Sequence, residues 1–530
     1  MNESPRPALT DRHLDERDLA YLESVGKTRD EIERELRAVI HGVPYARLTR
    51  PCRPGDGMVR LGISEQERLA RRFRPHAAHG RAMKFVAASG AASRMFKSHI
   101  HYYLGGAKVT RSRLLEEAEQ GRDEARELLR FFDNLPRFPF YAELHAALAS
   151  RGMVLEELLG TGSYGELLHC LLGSDGLGYR NIPKGLTPFH AYPDGARTAF
   201  EEHLVEAAAY VRDRRGEVRV HFTVTPGEEA RVQRHLSAAA ARRADAATRY
   251  IVTISTQDRA TDTVAVGTDG APVRDRHGRI LLWPSGHGAL LKNLNELRGD
   301  IIFIRTIDNI LPDRLKSTVV FFKQVLGGLL VTLQERVFDA LEALESAAAD
   351  ESGLRELEQW VQTAFNRRFP ESFQHAAPAA RARRLCQMLN RPLRVCAMVK
   401  HEGEPGGGPF WVVDRYGQES LQIVEAAQVD MSCRAQREIW ESSEYFNPAD
   451  IVCGVRDRHG EPFDLSGYAD AGACFISSKQ HEQSTIRVLE RPGLWNGSMA
   501  HWNTVFVEVP KATLNPVKNV LDLLKTEHQA

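Results

Sequence analysis

Three segments combine residue types suited to holding phosphate. In Phe85 to Lys97 (FVAASGAASRMFK), a short apolar run ends in small residues, with Arg94 and Lys97 just beyond. Small residues after a strand let backbone N–H groups approach a phosphate, and the N-terminus of a following helix adds favourable dipole charge. Arg94 and Lys97 then supply fixed positive charge where a triphosphate would lie. The segment is neither a Walker A loop nor G-x-G-x-x-G, and a tight turn packing small residues against a sheet is the alternative. In Asn181 to His190 (NIPKGLTPFH), Pro183 and Pro188 stiffen the loop around Lys184. Its ammonium is then either a positioned point charge or an ordinary surface cation. In IIFIRTIDNIL, Asp308 follows an apolar run and stands at the carboxyl end of a buried strand, where open α/β sheets place ligands. A carboxylate there can hold Mg²⁺ together with phosphate oxygens, or it can cap the next turn.

Other positions add polar groups. TISTQ ends a strand at Gln257, and WPSGHGAL sets Gly286 and Gly288 around His287 before a helix. Glu425 has a strand-end setting like that of Asp308. Asn496 lies in the aromatic and polar stretch WNGSMAHWN, which lines a pocket or packs as a loop, and Lys479 sits in FISSKQ.

The elements that must position these groups are legible in the hydrophobic spacing. Residues 11–75 carry apolar residues at three- and four-residue intervals, as amphipathic helices do, interrupted by the Pro/Gly-rich RPCRPGDGMVRLG. MKFVAASG is a strand leading through a tight loop into a helix, and residues 113–172 are helical with a loop near 133–139. From Val218, VRVHFTV, TRYIVTIS and DIIFIRTID are strands separated by helices and two shorter strands. This succession is the pattern of a mostly parallel sheet with helices on both faces. Residues 313–367 are helical, and 391–530 are strand-rich, with EGEPGGGP joining two strands as a hairpin or loop. The expected organisation is a helical region over 1–80, an α/β core over 81–345, a helical connector over 346–390 and a strand-rich part over 391–530.

The 530 residues suffice for several domains, and 42% hydrophobic with 26% charged residues is the balance of a folded protein. Lys+Arg and Asp+Glu are equal at 70 each, which argues against a nucleic-acid coat or a polybasic membrane binder but leaves room for a basic pocket. Seven cysteines without a C-x-x-C fit neither a disulfide framework nor a zinc ribbon. With a polar N-terminus, they point to the cytoplasm. Val319 to Leu333, broken by Lys323, Gln324, Gly327 and Gly328, reads as a buried helix and not a membrane span.

Taken in order, these motifs resemble the sugar-nucleotide pyrophosphorylases, the large uridylyltransferases in particular, over about residues 83–430. Ala88-Ser-Gly-Ala-Ala-Ser-Arg94 is similar to their L-x-G-G-x-G-T-R loop, with Ser89 and Ala92 in place of glycines. Pro183-Lys184 resembles their P-K pair, Gly286-His287-Gly288 their G-[HN]-G, and Ile307-Asp308-Asn309-Ile310-Leu311 their V-D-N-x-L metal segment. Val424-Glu425-Ala426-Ala427-Gln428 echoes their V-E-Y-S-E. FVAASGAASRMFK, IPKGLTPFH, SGHGALLKNLN, YFNPADIVCGVRD and GLWNGSMAHWNTVFVEVP also resemble a bacterial family, the domain of unknown function 4301.

The resemblance implies a glycosyltransferase-A-like α/β fold and a Mg²⁺-dependent nucleotidyltransferase. The enzyme would join an NTP to a phosphorylated acceptor, a sugar 1-phosphate above all, and release pyrophosphate. It assigns catalysis to Arg94 and Lys184 and the metal to Asp308. Nucleotide binding falls to Ala88, Ser89, Gly90, Ala91, Ser93, Lys97, Gln257, Gly286, His287 and Gly288. Acceptor binding falls to Glu425, Lys479 and Asn496. The alternative, motivated by Ser89 and Ala92, is an inactive nucleotide-sugar binding or regulatory protein of the same fold.

Overall fold

The computed structural model describes residues 9–106, 108–346, 350–403, 406–482 and 484–529. The chain forms two compact units, each built from three separate stretches. One comprises 1–74, 257–304 and 324–511; the other comprises 75–256, 305–323 and 512–530. The four spans read from hydrophobic patterning are continuous, whereas these units are not.

In the second unit, Ala82–Ala87, Glu217–Val224 and Arg249–Thr256 run parallel, in that order. Lys84 to Ala87 stand opposite Val220 to Thr223, and Glu217 to Val224 opposite Arg249 to Thr256. Parallel neighbours need a crossover, and Glu229–Arg243 supplies it between the last two strands. Val232, Leu236 and Ala239 form its buried stripe at spacings of four and three residues. The helices between Lys97 and Leu172 pack through a cluster of rings including Phe96, Phe131, Phe138 and Phe140. A short antiparallel hairpin, Pro188–Tyr192 with Gly195–Thr198, follows the Lys184 turn.

In the first unit, Gly57–Val59, Asn503–Glu508 and Leu393–Lys400 are parallel neighbours. Ile451–Gly454 then joins antiparallel, and Ile301 to Ile304 pair antiparallel with it. All four residues from Ile301 to Ile304 are fully buried, as the uninterrupted apolar run requires. A separate antiparallel sheet orders Leu48–Pro51, Gly408–Val413 and Glu419–Val424. Leu393–Lys400 and Gly408–Val413 therefore lie in different sheets, so EGEPGGGP joins them as a loop and not a hairpin turn; its Glu404 and Pro405 lie outside the described residues. The N-terminal helices Glu16–Ser24 and Arg29–His41 bury Leu22, Ile32, Leu36 and Val39 against Val264, Val266, Ile280 and Leu489.

The architecture is thus mixed α/β, with mostly parallel strands flanked by helices. Among the described residues one helix, Asp313–Glu345, is long and apolar enough to cross a membrane, and 61% of its most apolar window is buried inside the protein. Its apolar surface is largely used by the chain's own packing.

Candidate functional site

The strand Ala82–Ala87 ends where the small-residue loop begins. Ala88 is held by its N–H to the Thr223 carbonyl at 3.0 Å, and the Thr225 hydroxyl donates to the Ser89 carbonyl at 3.0 Å. The loop is then clamped to the Lys184 turn. The Ala92 N–H reaches the Ile182 carbonyl at 3.0 Å, and the Lys184 N–H reaches the Gly90 carbonyl at 2.9 Å. Two segments about ninety residues apart thereby form one small ladder, Ala91 opposite Pro183. Among the described residues the N–H groups of Gly90 and Ala91 have no acceptor within the protein. A Cβ on Gly90 would meet nothing within 4 Å, and Ala91 is exposed, so the loop is not covered by other side chains there.

Arg94 ends a single 3-10 turn, Ala92–Arg94, and is exposed; Ser93 is half-buried beside it. Lys97 opens the helix Lys97–Leu104 on its exposed side. The start of that helix, in turn, follows the loop as the sequence pattern requires.

Lys184 is not a surface lysine. Its residue is 6% exposed, and Nζ donates to the Val517 carbonyl at 2.9 Å and faces Asp308 Oδ2 at 3.4 Å. Gly185 beside it is imposed by packing, since a Cβ there would sit 2.4 Å from the Phe200 ring. Asp308, 7% exposed, accepts at Oδ1 from the Thr306 hydroxyl at 2.8 Å and at Oδ2 from Lys518 Nζ at 2.8 Å. Burial alone would raise the Asp308 carboxyl, but Lys518, Lys184 and these hydrogen bonds outweigh it and hold the group at about 2. Lys184 is depressed below the usual lysine value by burial first, with the charges of Lys518 and Arg94 adding to it and Asp308 opposing.

Lys518 was not found by sequence reasoning, because Leu514 to Asn519 shows no periodic element on which to place it. Its one signal was Pro516-Val-Lys518-Asn519, a second lysine in a proline-stiffened stretch. The structure threads this stretch past the site: the Val517 N–H donates to the Asp308 carbonyl at 3.0 Å, and the Val520 N–H to the Met95 carbonyl at 3.2 Å.

A buried layer fixes the Asp308 turn from beneath. Arg305, fully buried, donates to the Asn309 carbonyl at 2.6 Å, to Asn309 Oδ1 at 3.1 Å and to the Thr513 carbonyl at 2.9 Å. It ties the turn carrying Asp308 to the stretch leading to Lys518. Glu206 faces Arg305 at 3.9 Å and Lys84 at 2.8 Å, all three without exposed side-chain surface. Burial pushes Lys84 down to about 7 despite Glu206. The Ile307 N–H donates to the Ala87 carbonyl at 3.0 Å, which sets Asp308 beside the loop.

The other sequence-derived candidates lie in the first unit, and several of them meet. His287 Nε2 is 3.2 Å from Glu425 Oε1, and its ring stacks on Trp495 with centroids 4.3 Å apart. Asn496, fully buried, donates from Nδ2 to Glu425 Oε1 at 3.1 Å. Gln257 donates to the Gly286 carbonyl at 2.7 Å. Gly286 has φ +56°, a backbone shape that side chains rarely adopt, and a Cβ on Gly288 would lie 2.8 Å from the Arg491 carbonyl. Lys479 does not join this group: it is on the hairpin Phe475–His481/Ser484–Glu490, and its ammonium pairs with Glu490 at 2.8 Å.

The donor set around Asp308 also bears on a metal. Among the described residues no group of three or more His, Cys, Asp or Glu could hold an ion. Asp308 is a lone carboxylate facing two ammonium groups, with the Arg94 charge acting on one of them. Such positive surroundings do not fit a resident divalent cation. They fit one that arrives bound to a polyphosphate, whose oxygens complete its shell.

The fold and site define an α/β protein whose small-residue loop and lysine-flanked carboxylate lie together at a strand end, a setting for anionic ligands. The family known as domain of unknown function 4301 (DUF4301) matches residues 15–529, and the chain belongs to it. Among curated proteins, none matches the sequence. Among solved structures it is similar to a uridine diphosphate N-acetylglucosamine pyrophosphorylase from Trypanosoma brucei. That match has 11% identity and a TM-score of 0.48 over 97% of this chain and 79% of the other. It is also similar to a UDP-glucose pyrophosphorylase from Leishmania major, with 10% identity and a TM-score of 0.41 over 96% of this chain and 77% of that one.

Proposed function

We propose that the chain is a cytoplasmic nucleotidyltransferase that joins an NTP to a phosphorylated acceptor, a sugar 1-phosphate above all, and releases pyrophosphate. The observation that carries this reading is the Lys184–Asp308–Lys518 group beside the open N–H donors of Gly90 and Ala91. A phosphorylated acceptor already bears negative charge at neutral pH. Attack at the α-phosphorus therefore needs positioning and charge neutralisation more than a general base. The loop N–H groups, Arg94 and Lys97 would hold the β and γ phosphates. Lys184, buried and kept in place by Asp308 and the Val517 carbonyl, would neutralise charge that builds as pyrophosphate departs. Lys518, exposed at the end of its stretch, would meet the same phosphates from solvent. Mg²⁺ arriving with the nucleotide would have Asp308 as its protein ligand and would neutralise phosphate charge. In the first unit, Glu425 is half-buried and held by the buried Asn496, and it would be the group of that cluster that accepts from an acceptor hydroxyl.

The test is pyrophosphate release from each of the four common NTPs with Mg²⁺, across a panel of sugar 1-phosphates. UTP comes first, since the similar solved proteins are named for UDP-sugars. Release with any acceptor, abolished by Lys184→Ala, supports the reading. Calorimetric binding of UDP-sugars with no release from any pair would replace it with the inactive binder that Ser89 and Ala92 motivate.

A further inference from the structure

We propose that the first unit carries a second ligand site, a cavity of about 580 Å³ built around Arg391, Tyr468 and His501, and that it takes a small phosphorylated metabolite. The cavity is walled by the helix Asp313–Glu345, the end of the helix Pro378–Leu389, the 3-10 turn Leu465–Tyr468 and His501. Its volume lies within the range of small-molecule sites. None of its lining residues belongs to the Lys184 group, and none to the His287–Glu425–Asn496 cluster.

Charge carries the inference. Among the described residues the Arg391 guanidinium donates to two backbone carbonyls, those of Gln387 at 2.9 Å and His501 at 3.4 Å. Among the described residues neither Arg391 nor the nearby Arg367 pairs with a carboxylate. The one carboxylate in the wall, Glu345, is already engaged by Arg458. Burial, with the Arg391 charge added, pushes Arg367 down to about 10. His501 is held below its usual value by burial and by both arginines, against the pull of Asp470 and Asp414. Arg391 and Arg367 are therefore half-buried cations without a paired carboxylate among the described residues, and an anion seated at Arg391 would be favoured by both charges.

The wall also selects among anions. The Arg391 fork, the Tyr468 hydroxyl and the side-chain amides of Gln387 and Asn390 are all able to donate around one space. A phosphate presents three acceptor oxygens to such a set, whereas a single carboxylate presents two. The loop that brings His501 here begins at Trp495 and passes through the 3-10 turn Gly497–Met499. The same loop therefore contributes Asn496 to one polar cluster and His501 to another.

The test is titration calorimetry with inorganic phosphate, glucose 6-phosphate and citrate on the wild-type chain, Lys184→Ala and Arg391→Ala. The expected result is that a phosphate-bearing probe binds, that Lys184→Ala retains this binding, and that Arg391→Ala weakens it by about tenfold or more. Tyr468→Phe, which leaves the backbone contacts of Arg391 intact, should weaken it by about threefold. That variant replaces Arg391→Ala if the latter does not fold by circular dichroism. Unchanged affinity in the cavity variants, binding lost in folded Lys184→Ala, stronger binding of citrate, or no binding of any probe would overturn the proposal. Because the cavity variants are read by affinity and not by turnover, failure here is distinguishable from failure of the nucleotidyltransferase reading.

Discussion

An ammonium group buried as deeply as that of Lys184 keeps its proton against desolvation chiefly because Asp308 faces it. In the proposed reaction that charge matters most when pyrophosphate departs, so Lys184→Ala should lower kcat by about a hundredfold while changing KM for the NTP much less. Lys184→Arg should not rescue it. A planar guanidinium on a longer stem does not place its charge where the compact ammonium meets the Val517 carbonyl and Asp308. Steady-state kinetics on both variants decide the point. The depressed pKa gives a second handle. Protonated Lys184 is required, and its proton leaves earlier than that of an ordinary lysine, so activity should fall on an alkaline limb lying below the usual lysine value of 10.5. A kcat/KM profile flat to that value would contradict it. Arg94 acts at long range on Lys184 and is exposed, so Arg94→Ala should spare the fold and weaken NTP binding by about 1.5–3 kcal/mol, read by calorimetry.

The turns that present these side chains depend on what lies beneath them. Gly185→Ala should push a methyl group into Phe200, destabilise the protein by about 1–3 kcal/mol and lower kcat by displacing Lys184. Adding Phe200→Leu should recover part of both losses. A double variant no better than the single one would mean that Gly185 has another role. Glu206→Gln leaves Lys84 and Arg305 without their shared carboxylate in a fully buried layer. It should cost about 3–5 kcal/mol in urea denaturation. The strand–loop–helix at 82–104, the parallel strands from Glu217 and the buried strand before Asp308 were all legible in the sequence, because period and apolar runs report local burial. The hairpin Pro188–Tyr192/Gly195–Thr198 was not read, since five and four residues around a turn carry too short a pattern to distinguish from loop.

Across the molecule, acid stability tests whether the buried carboxylate is ionised as described. The Asp308 pKa is depressed from 3.8 to about 2, so its contribution is fully present above the unfolded value and is lost as pH falls through the folded one. That shift corresponds to on the order of 2 kcal/mol. Between pH 5 and 2, the urea midpoint of the wild type should therefore fall more steeply than that of Asp308→Asn, and equal slopes would show that the group is not held ionised. The division into two discontinuous units is a property of the same level. Each unit takes its strands and helices from stretches hundreds of residues apart, which no local window can reveal.

By itself the sequence determined the types of the longer elements (not the short strands between Leu48 and Val59, inside the span expected to be helical), the burial of the strand at Ile301–Thr306 and the chemical character of Gly90, Arg94, Lys184 and Asp308. These follow from local spacing and side-chain chemistry, which every short window contains. Only the tertiary structure decided that Lys184 is buried, that Asp308 faces two ammonium groups and that Lys518 is one of them. It likewise decided that Arg305 ties the Asp308 turn to the chain's last segment, and that His287, Glu425 and Asn496 meet while Lys479 turns to Glu490. Each of these outcomes depends on chain segments remote in sequence becoming neighbours. The electrostatic state of a side chain is set by those neighbours and by the water they exclude.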